Sequence, residues 1–469
     1  MAQTHMIDNN IKDSNITDNI VRTKKGLVQG VREGDCLVFK NIPYAKPPAG
    51  ELRFKRPVET DSWDGVLDCT KFGNITPQNL PGDEMPWEKL YHKEFYSDEA
   101  YLRNMDEDCL NLNIWIPAET NRHRLPVAFW IHGGGFAGGY SSEIEFGGES
   151  FVKNGIILVT VEYRCGVLGF MAHPWLSAED ELGISGNYGI FDQIAALNWV
   201  YDNISAFGGD PDNITVFGQS AGCMSTQVLI SSELTENKIA GAILQSGVQV
   251  NTHYMASPTL KEAEQYGERI VQLAGISSLQ ELRVAPVHQL IQAKDMFDAE
   301  TREYMMQHPE IEADALRIVP NVDGFLLKKN IRDVFRDAEI KNIPYIVGCT
   351  ADDLGTTDKD RRNNTPGWIM EESRAFCSGV NKMFGRNAYC YLFARELPGE
   401  NGSSDLAFHS AELWYTFGTL ERCWRPMTEH DRQLSREMSL DWAQFMKTGN
   451  PGNGWKPCSE NESAVKIYR

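Results

Sequence analysis

Gly218-Gln219-Ser220-Ala221-Gly222 sets a serine between two glycines at the end of a short apolar run, Ile214–Phe217. A serine hydroxyl is a weak nucleophile until a neighbouring base activates it, so it must project where such a base can reach it. The apolar run reads as a strand and Cys223–Leu229 as a helix, which places Ser220 on the sharp turn between them. Strand and helix crowd the flanks of such a turn, and residues free of side chain at 218 and 222 answer that crowding. The plainer reading of the five residues is a tight turn with a buried serine. The strand before and the helix after favour the nucleophile.

A serine that attacks a carbonyl generates an oxyanion, which preorganised backbone N–H groups stabilise. His132-Gly133-Gly134-Gly135-Phe136 closes another apolar run, Leu125–Ile131. Its glycines let the backbone approach a reacting carbonyl, so the amides of Gly134 and Gly135 are the expected donors, with Ala221 as a third. Each would contribute on the order of 3–4 kcal/mol to the transition state. Gly133–Gly138 also matches G-x-G-x-x-G, but a dinucleotide site needs a helix at once and an acidic residue roughly 20 positions on. The chain continues instead as Phe136-Ala137-Gly138-Gly139-Tyr140-Ser141-Ser142, a loop pattern. No G-x-x-x-x-G-K-[ST] occurs, so nothing suggests a phosphate cradle.

The elements that must hold these residues alternate along the chain. Ile156–Val161, Ala240–Leu244, Pro344–Val347 and Ala388–Phe393 read as further buried strands. Phe191–Ile204 has apolar groups at helical spacing, and a last long helix is expected over about Asp431–Met446, stopped by Gly449, Pro451 and Gly452. The alternation predicts an α/β class: a large sheet flanked by helices on both faces. Residues 21–469 are expected to form one domain, decorated by helices near the site entrance, behind a flexible polar segment over residues 1–20. Of the surface its unfolded chain exposes, a protein of this size buries about three quarters.

With 45 Lys+Arg against 65 Asp+Glu, the formal net charge is −20. Nucleic acid and anionic membrane surfaces depend on clustered Lys and Arg, and neither is an expected partner. No window of about 18 apolar residues suggests a membrane span. Met1–Asn19 lacks the features of a secretory signal, and the ten cysteines are scattered without a CxxC pair. A cytoplasmic protein with reduced thiols and no bound metal is the resulting expectation.

Phe207-Gly208-Gly209-Asp210-Pro211-Asp212-Asn213-Ile214-Thr215-Val216-Phe217-Gly218-Gln219-Ser220-Ala221-Gly222 resembles the serine signature of the type-B carboxylesterases at every fixed position. That family includes cholinesterases and bacterial para-nitrobenzyl esterases. Glu107–Trp115 is similar to its second signature, with Asn111 where an aromatic or Thr is commoner. Asn41–Ala45, Pro47-Pro48, Arg53-Phe54, Asn187-Tyr188-Gly189 and Asp192-Gln193 extend the likeness from about Gly26 to Gly452. The resemblance implies the α/β-hydrolase fold, hydrolysis of small carboxylic esters through an acyl-enzyme, and no cofactor. Phe408–Leu413 looks like the family's histidine motif, which makes His409 the base. Gly348–Gly355 is similar to its acid segment, with Asp353 at the acid position and Asp352 as the alternative. The oligomeric state is left open. A non-catalytic, cholinesterase-like adhesion protein is the rival reading, but relatives of that kind lack a triad member and this chain holds all three.

Three departures qualify the resemblance. Gln219 stands where cholinesterases carry Glu, which argues against choline esters. Thr76 stands where a cysteine would pair with Cys109, so Cys109 is expected unpaired, while Arg53 and Glu107 should form the family's structural ion pair. Fewer residues separate Asp353 from His409 than is usual, which predicts a more open site that admits bulkier esters.

Overall fold

The computed structural model describes residues 16–17, 19–82, 84–119, 124–308, 317–363, 365–458 and 464–469. Most of the segment expected to be flexible, residues 1–15 and 18, lies outside them. Ile16–Thr17 pairs antiparallel with Ile20–Arg22, at the edge of a small four-stranded sheet.

The main sheet has ten strands: β1 (Val31–Glu33), β2 (Cys36–Pro43), β3 (Asn111–Pro117), β4 (Leu125–Ile131), β5 (Ile157–Val161), β6 (Gly209–Gln219), β7 (Gly241–Gln245), β8 (Tyr345–Thr350), β9 (Ala388–Phe393) and β10 (Val465–Tyr468). Their order is β10-β9-β8-β7-β6-β4-β5-β3-β2-β1. Every pairing from β10 to β5 is parallel, and those from β5 to β1 are antiparallel. The six longest described helices are α1 (Tyr188–Asn203), α2 (Ala221–Ser231), α3 (Leu260–Leu273), α4 (Val287–Gln307), α5 (Trp368–Phe384) and α6 (Glu429–Thr448).

Successive strand residues point to opposite faces, and each face has its own core. From β4, Val127, Phe129 and Ile131 join Leu197 of α1, Val228 of α2 and Phe376 of α5 on one side. Ala128 and Trp130 join Trp442 and Phe445 of α6 on the other. Both sides of the sheet are dry, so the strands read as continuous apolar runs rather than alternating ones. The predicted strands and all three predicted helices are found. Leu125–Ile131 and Ala388–Phe393 keep their ends, whereas the Ile214–Phe217 strand reaches back to Gly209 across a break in register with β4.

The sequence pattern missed β1, β2, β3 and β10. In β3 the apolar run is interrupted by Asn111 and Asn113, both buried. Burial is tolerated because Asn113 donates to Ser141 and Thr160 and accepts from the Asn41 amide, and such satisfaction is invisible to periodicity. Among the described residues no helix is long and apolar enough to cross a membrane.

Candidate active site

Strand β6 runs straight into α2, and Ser220 occupies the joint with φ 56° and ψ −124°. This left-handed backbone is rare for a residue with a side chain and is the strain a nucleophile elbow imposes. A Cβ on Gly222 would lie 2.0 Å from the carbonyl oxygen of Ile131, and one on Gly218 would lie 2.4 Å from that of Gly222. The glycines at both flanks are therefore required by contact with each other and with β4.

The loop after β4 brings the glycine run against the elbow. A Cβ on Gly133 would sit 3.1 Å from that of Ser220, and Gly134 and Gly135 adopt φ 103° and 62°. Among the described residues neither the Gly134 nor the Gly135 amide donates a backbone hydrogen bond. Ala221 is the first residue of α2, where a helix leaves its amides without internal partners. The loop is anchored at both ends. His132 stacks on Tyr163 at 4.3 Å, and its Nδ1 lies 2.9 Å from the Gly133 carbonyl. Burial pushes that ring down to about 4, so it is neutral near pH 7. The Gln78 side chain clamps Gly139 from both sides, donating to its carbonyl and accepting from its amide.

His409 and Asp353 come together although the sequence separates them widely. His409 Nδ1 is 2.5 Å from Asp353 Oδ1, with both side chains buried. Asp353 also accepts from the Thr350 and Leu354 amides at 3.0 and 2.8 Å, which fixes its carboxylate at the end of β8. Burial opposes ionisation of Asp353, but the charge and hydrogen bond of His409 outweigh it and hold the carboxyl below its usual range. Burial likewise pushes His409 down, yet Asp353 reverses that and raises the imidazole above its ordinary value. Asp352, the alternative acid, instead accepts from Arg361 at 2.9 Å.

Ser220, His409 and Asp353 line a single cavity of about 770 Å3 together with Gly134 and Gly135. One expected contact is absent among the described residues: no hydrogen bond joins the Ser220 hydroxyl to His409. The ring Nε2 faces the Gln219 side-chain nitrogen at 3.2 Å instead. Hydrogen bonds of this kind are often loose in a resting site and tighten around substrate.

Sequence reasoning gave no role to three supports of the histidine. Tyr91 donates to the His409 carbonyl at 2.6 Å and lies 3.2 Å from the Ser410 hydroxyl. Ser246 sits between Asp353 and Glu412. Burial lifts Glu412 to about 7, a second carboxyl close behind the pair. Only Glu412 had a local signal, since it falls within the histidine motif. The structural pair Arg53–Glu107 forms at 2.5 Å, and Cys109 is a buried free thiol facing Thr76.

The carboxylesterase family model matches residues 17–374 and 371–469. The chain belongs to the carboxylesterase family. Its class of reaction is carboxylic ester hydrolysis on an α/β-hydrolase fold. Curated relatives of this carboxylesterase include the fumonisin B1 esterase of Sphingopyxis macrogoltabida, 32% identical over 95% of this chain and 74% of the relative. The para-nitrobenzyl esterase of Bacillus subtilis (strain 168) is 33% identical over 93% and 91% of the two chains. Among solved structures, a thermophilic para-nitrobenzyl esterase superposes with a TM-score of 0.80 at 30% identity, covering 96% of both chains. A Geobacillus stearothermophilus carboxylesterase gives 0.75 at 30% identity over the same coverage.

Proposed function

We propose that Ser220 is the nucleophile of this esterase, His409 its general base and Asp353 the carboxylate that orients the base. The observation that carries this reading is the 2.5 Å contact between His409 Nδ1 and Asp353 Oδ1 beside a strained serine in one cavity. The contact keeps the ring proton on Nδ1, so Nε2 is the nitrogen free to accept a proton. On substrate binding the Ser220 hydroxyl replaces the Gln219 amide as the partner of Nε2. The serine oxygen then attacks the ester carbonyl while its proton passes to Nε2. Gly134, Gly135 and Ala221 donate to the oxyanion, and the imidazolium protonates the leaving alkoxide oxygen to give the free alcohol. Water follows the same path in reverse order of roles and releases the acid from Ser220.

The cavity volume supports esters larger than acetate, in keeping with the short spacer between Asp353 and His409. All ten cysteines are unpaired thiols, which supports action in a reducing compartment such as the cytoplasm. An ester panel of rising acyl length tests both points of chemistry at once. Turnover should persist beyond propionyl esters, and Ser220→Ala should lower kcat by on the order of 10⁶. Retained turnover in that variant would remove Ser220 from the mechanism, and a sharp cutoff at propionyl would contradict the open site.

A further inference from the structure

Part of the cavity wall has no task in the cycle above. The turn His92–Tyr96 and the loop that follows the glycine run bring Tyr96, Phe146, Glu143 and Glu145 to the cavity surface. Both carboxyls are deeply buried, with 6% of Glu143 and 2% of Glu145 exposed. The Tyr96 hydroxyl donates to Glu143 Oε1 at 2.5 Å, and burial raises both carboxyls, Glu143 to about 7 and Glu145 well above its ordinary range. Glu145 Oε2 accepts no hydrogen bond from any described group. Neither carboxyl is in an ion pair with a described lysine or arginine.

Other buried carboxylates here are supplied with donors. Glu94 accepts from Trp414, Trp424 and Arg425, and Glu162 from the Ser141 and Thr76 amides. Glu412 also keeps one oxygen without a donor, but it does not line the cavity. Glu145 is thus a buried acceptor in the cavity wall that lacks a donor from the protein. A buried polar atom of this kind is costly unless a partner supplies the missing hydrogen bond.

We propose that Glu143 and Glu145 form a subsite for a protonated primary amine, so that esters carrying an alkylammonium group are the preferred substrate class. An ammonium group provides both things the pair lacks, an N–H donor for Glu145 Oε2 and a positive charge. The rings of Tyr96 and Phe146 add faces that attract a cation. The cavity offers an anion little in exchange, because of the three lysines and arginines that line it Lys294 and Arg361 are engaged by Asp298 and Asp352, and Arg317 is not free either. A neutral hydroxyl could donate but would bring no charge. The excess of acidic residues over the whole chain draws cations toward the site as well.

This inference rests on the esterase reading, and its test separates the two. Three esters of one acid are compared: 3-aminopropyl and butyl, which match in size, and the bulkier 3-(trimethylammonio)propyl. Turnover of the butyl ester reports ester hydrolysis alone. The expected result is a kcat/KM for the aminopropyl ester about tenfold or more above that for the butyl ester. In Glu145→Gln, and in the double variant with Glu143→Gln, that ratio falls toward unity whatever the absolute rates. A ratio near unity in the unmodified protein overturns the proposal, as does a preference that survives both substitutions. Equal preference for the trimethylammonio ester also overturns it, because that group has no N–H to give Glu145. Calorimetric binding of butylammonium chloride to the unmodified protein, and its loss in Glu145→Gln, decides the subsite even if none of the three esters turns over.

Discussion

Around His409 the ordering of charges sets a pH dependence. Asp353 raises the imidazole above its ordinary value of 6.5 despite burial. A base works only when unprotonated, so kcat/KM should fall as pH drops through that raised value, with the acidic limb above 6.5 rather than below it. Gln219 faces the same ring through Nε2 and carries no charge. Gln219→Glu would place a carboxylate there, favour the imidazolium and move the limb upward by about one unit or more. A pH profile of kcat/KM for both proteins checks this, and an unmoved limb would show that Gln219 does not reach the ring in solution. Ser220 was legible because its signal is local: two glycines, a strand and a helix within the sixteen residues Ile214–Leu229. His409 and Asp353 carried no such signal of their own. Their meeting is made by the fold, so only likeness to a family pointed to them. Glu145 stayed invisible, since an acidic residue in a loop looks solvated until its burial is known.

At the level of elements, the site depends on β4, β6 and α2 touching without side chains between them. In Gly222→Ala the added methyl would lie 2.0 Å from the Ile131 carbonyl and 2.7 Å from that of His132. Relief of the clash separates α2 from β4, the two elements that carry Ser220 and the glycine loop. The variant should lose about 1–3 kcal/mol of stability and a large part of kcat together. Gly82→Ala is the control, since a Cβ there meets nothing within 4 Å, and denaturant unfolding should move it by no more than about 0.5 kcal/mol. The central parallel strands were readable as short apolar runs, because a sheet covered on both faces needs them apolar throughout. The antiparallel edge was not. Its β3 buries two asparagines whose hydrogen bonds are mostly to residues distant in sequence, and β1 is too short to leave a pattern, as is β10 on the opposite, parallel edge.

For the molecule as a whole, a net charge of −20 acts against compactness through self-repulsion. Screening should relieve it, so Tm should rise as sodium chloride goes from a few millimolar to about 0.15 M, where the Debye length is about 8 Å. A falling Tm would mean that the surface ion pairs outweigh the excess of acid. The same calorimetric scans should be indifferent to added reductant, because all ten cysteines are free thiols. The central claim concerns one covalent bond. A slowly deacylating ester, mixed with the protein and quenched with acid, should add the mass of its acyl group to the peptide that contains Ser220. The account predicts that adduct in the unmodified protein, and its absence in both Ser220→Ala and His409→Ala. Hydrolysis of the same ester with no adduct at Ser220, or with the acyl group on another residue, would contradict it.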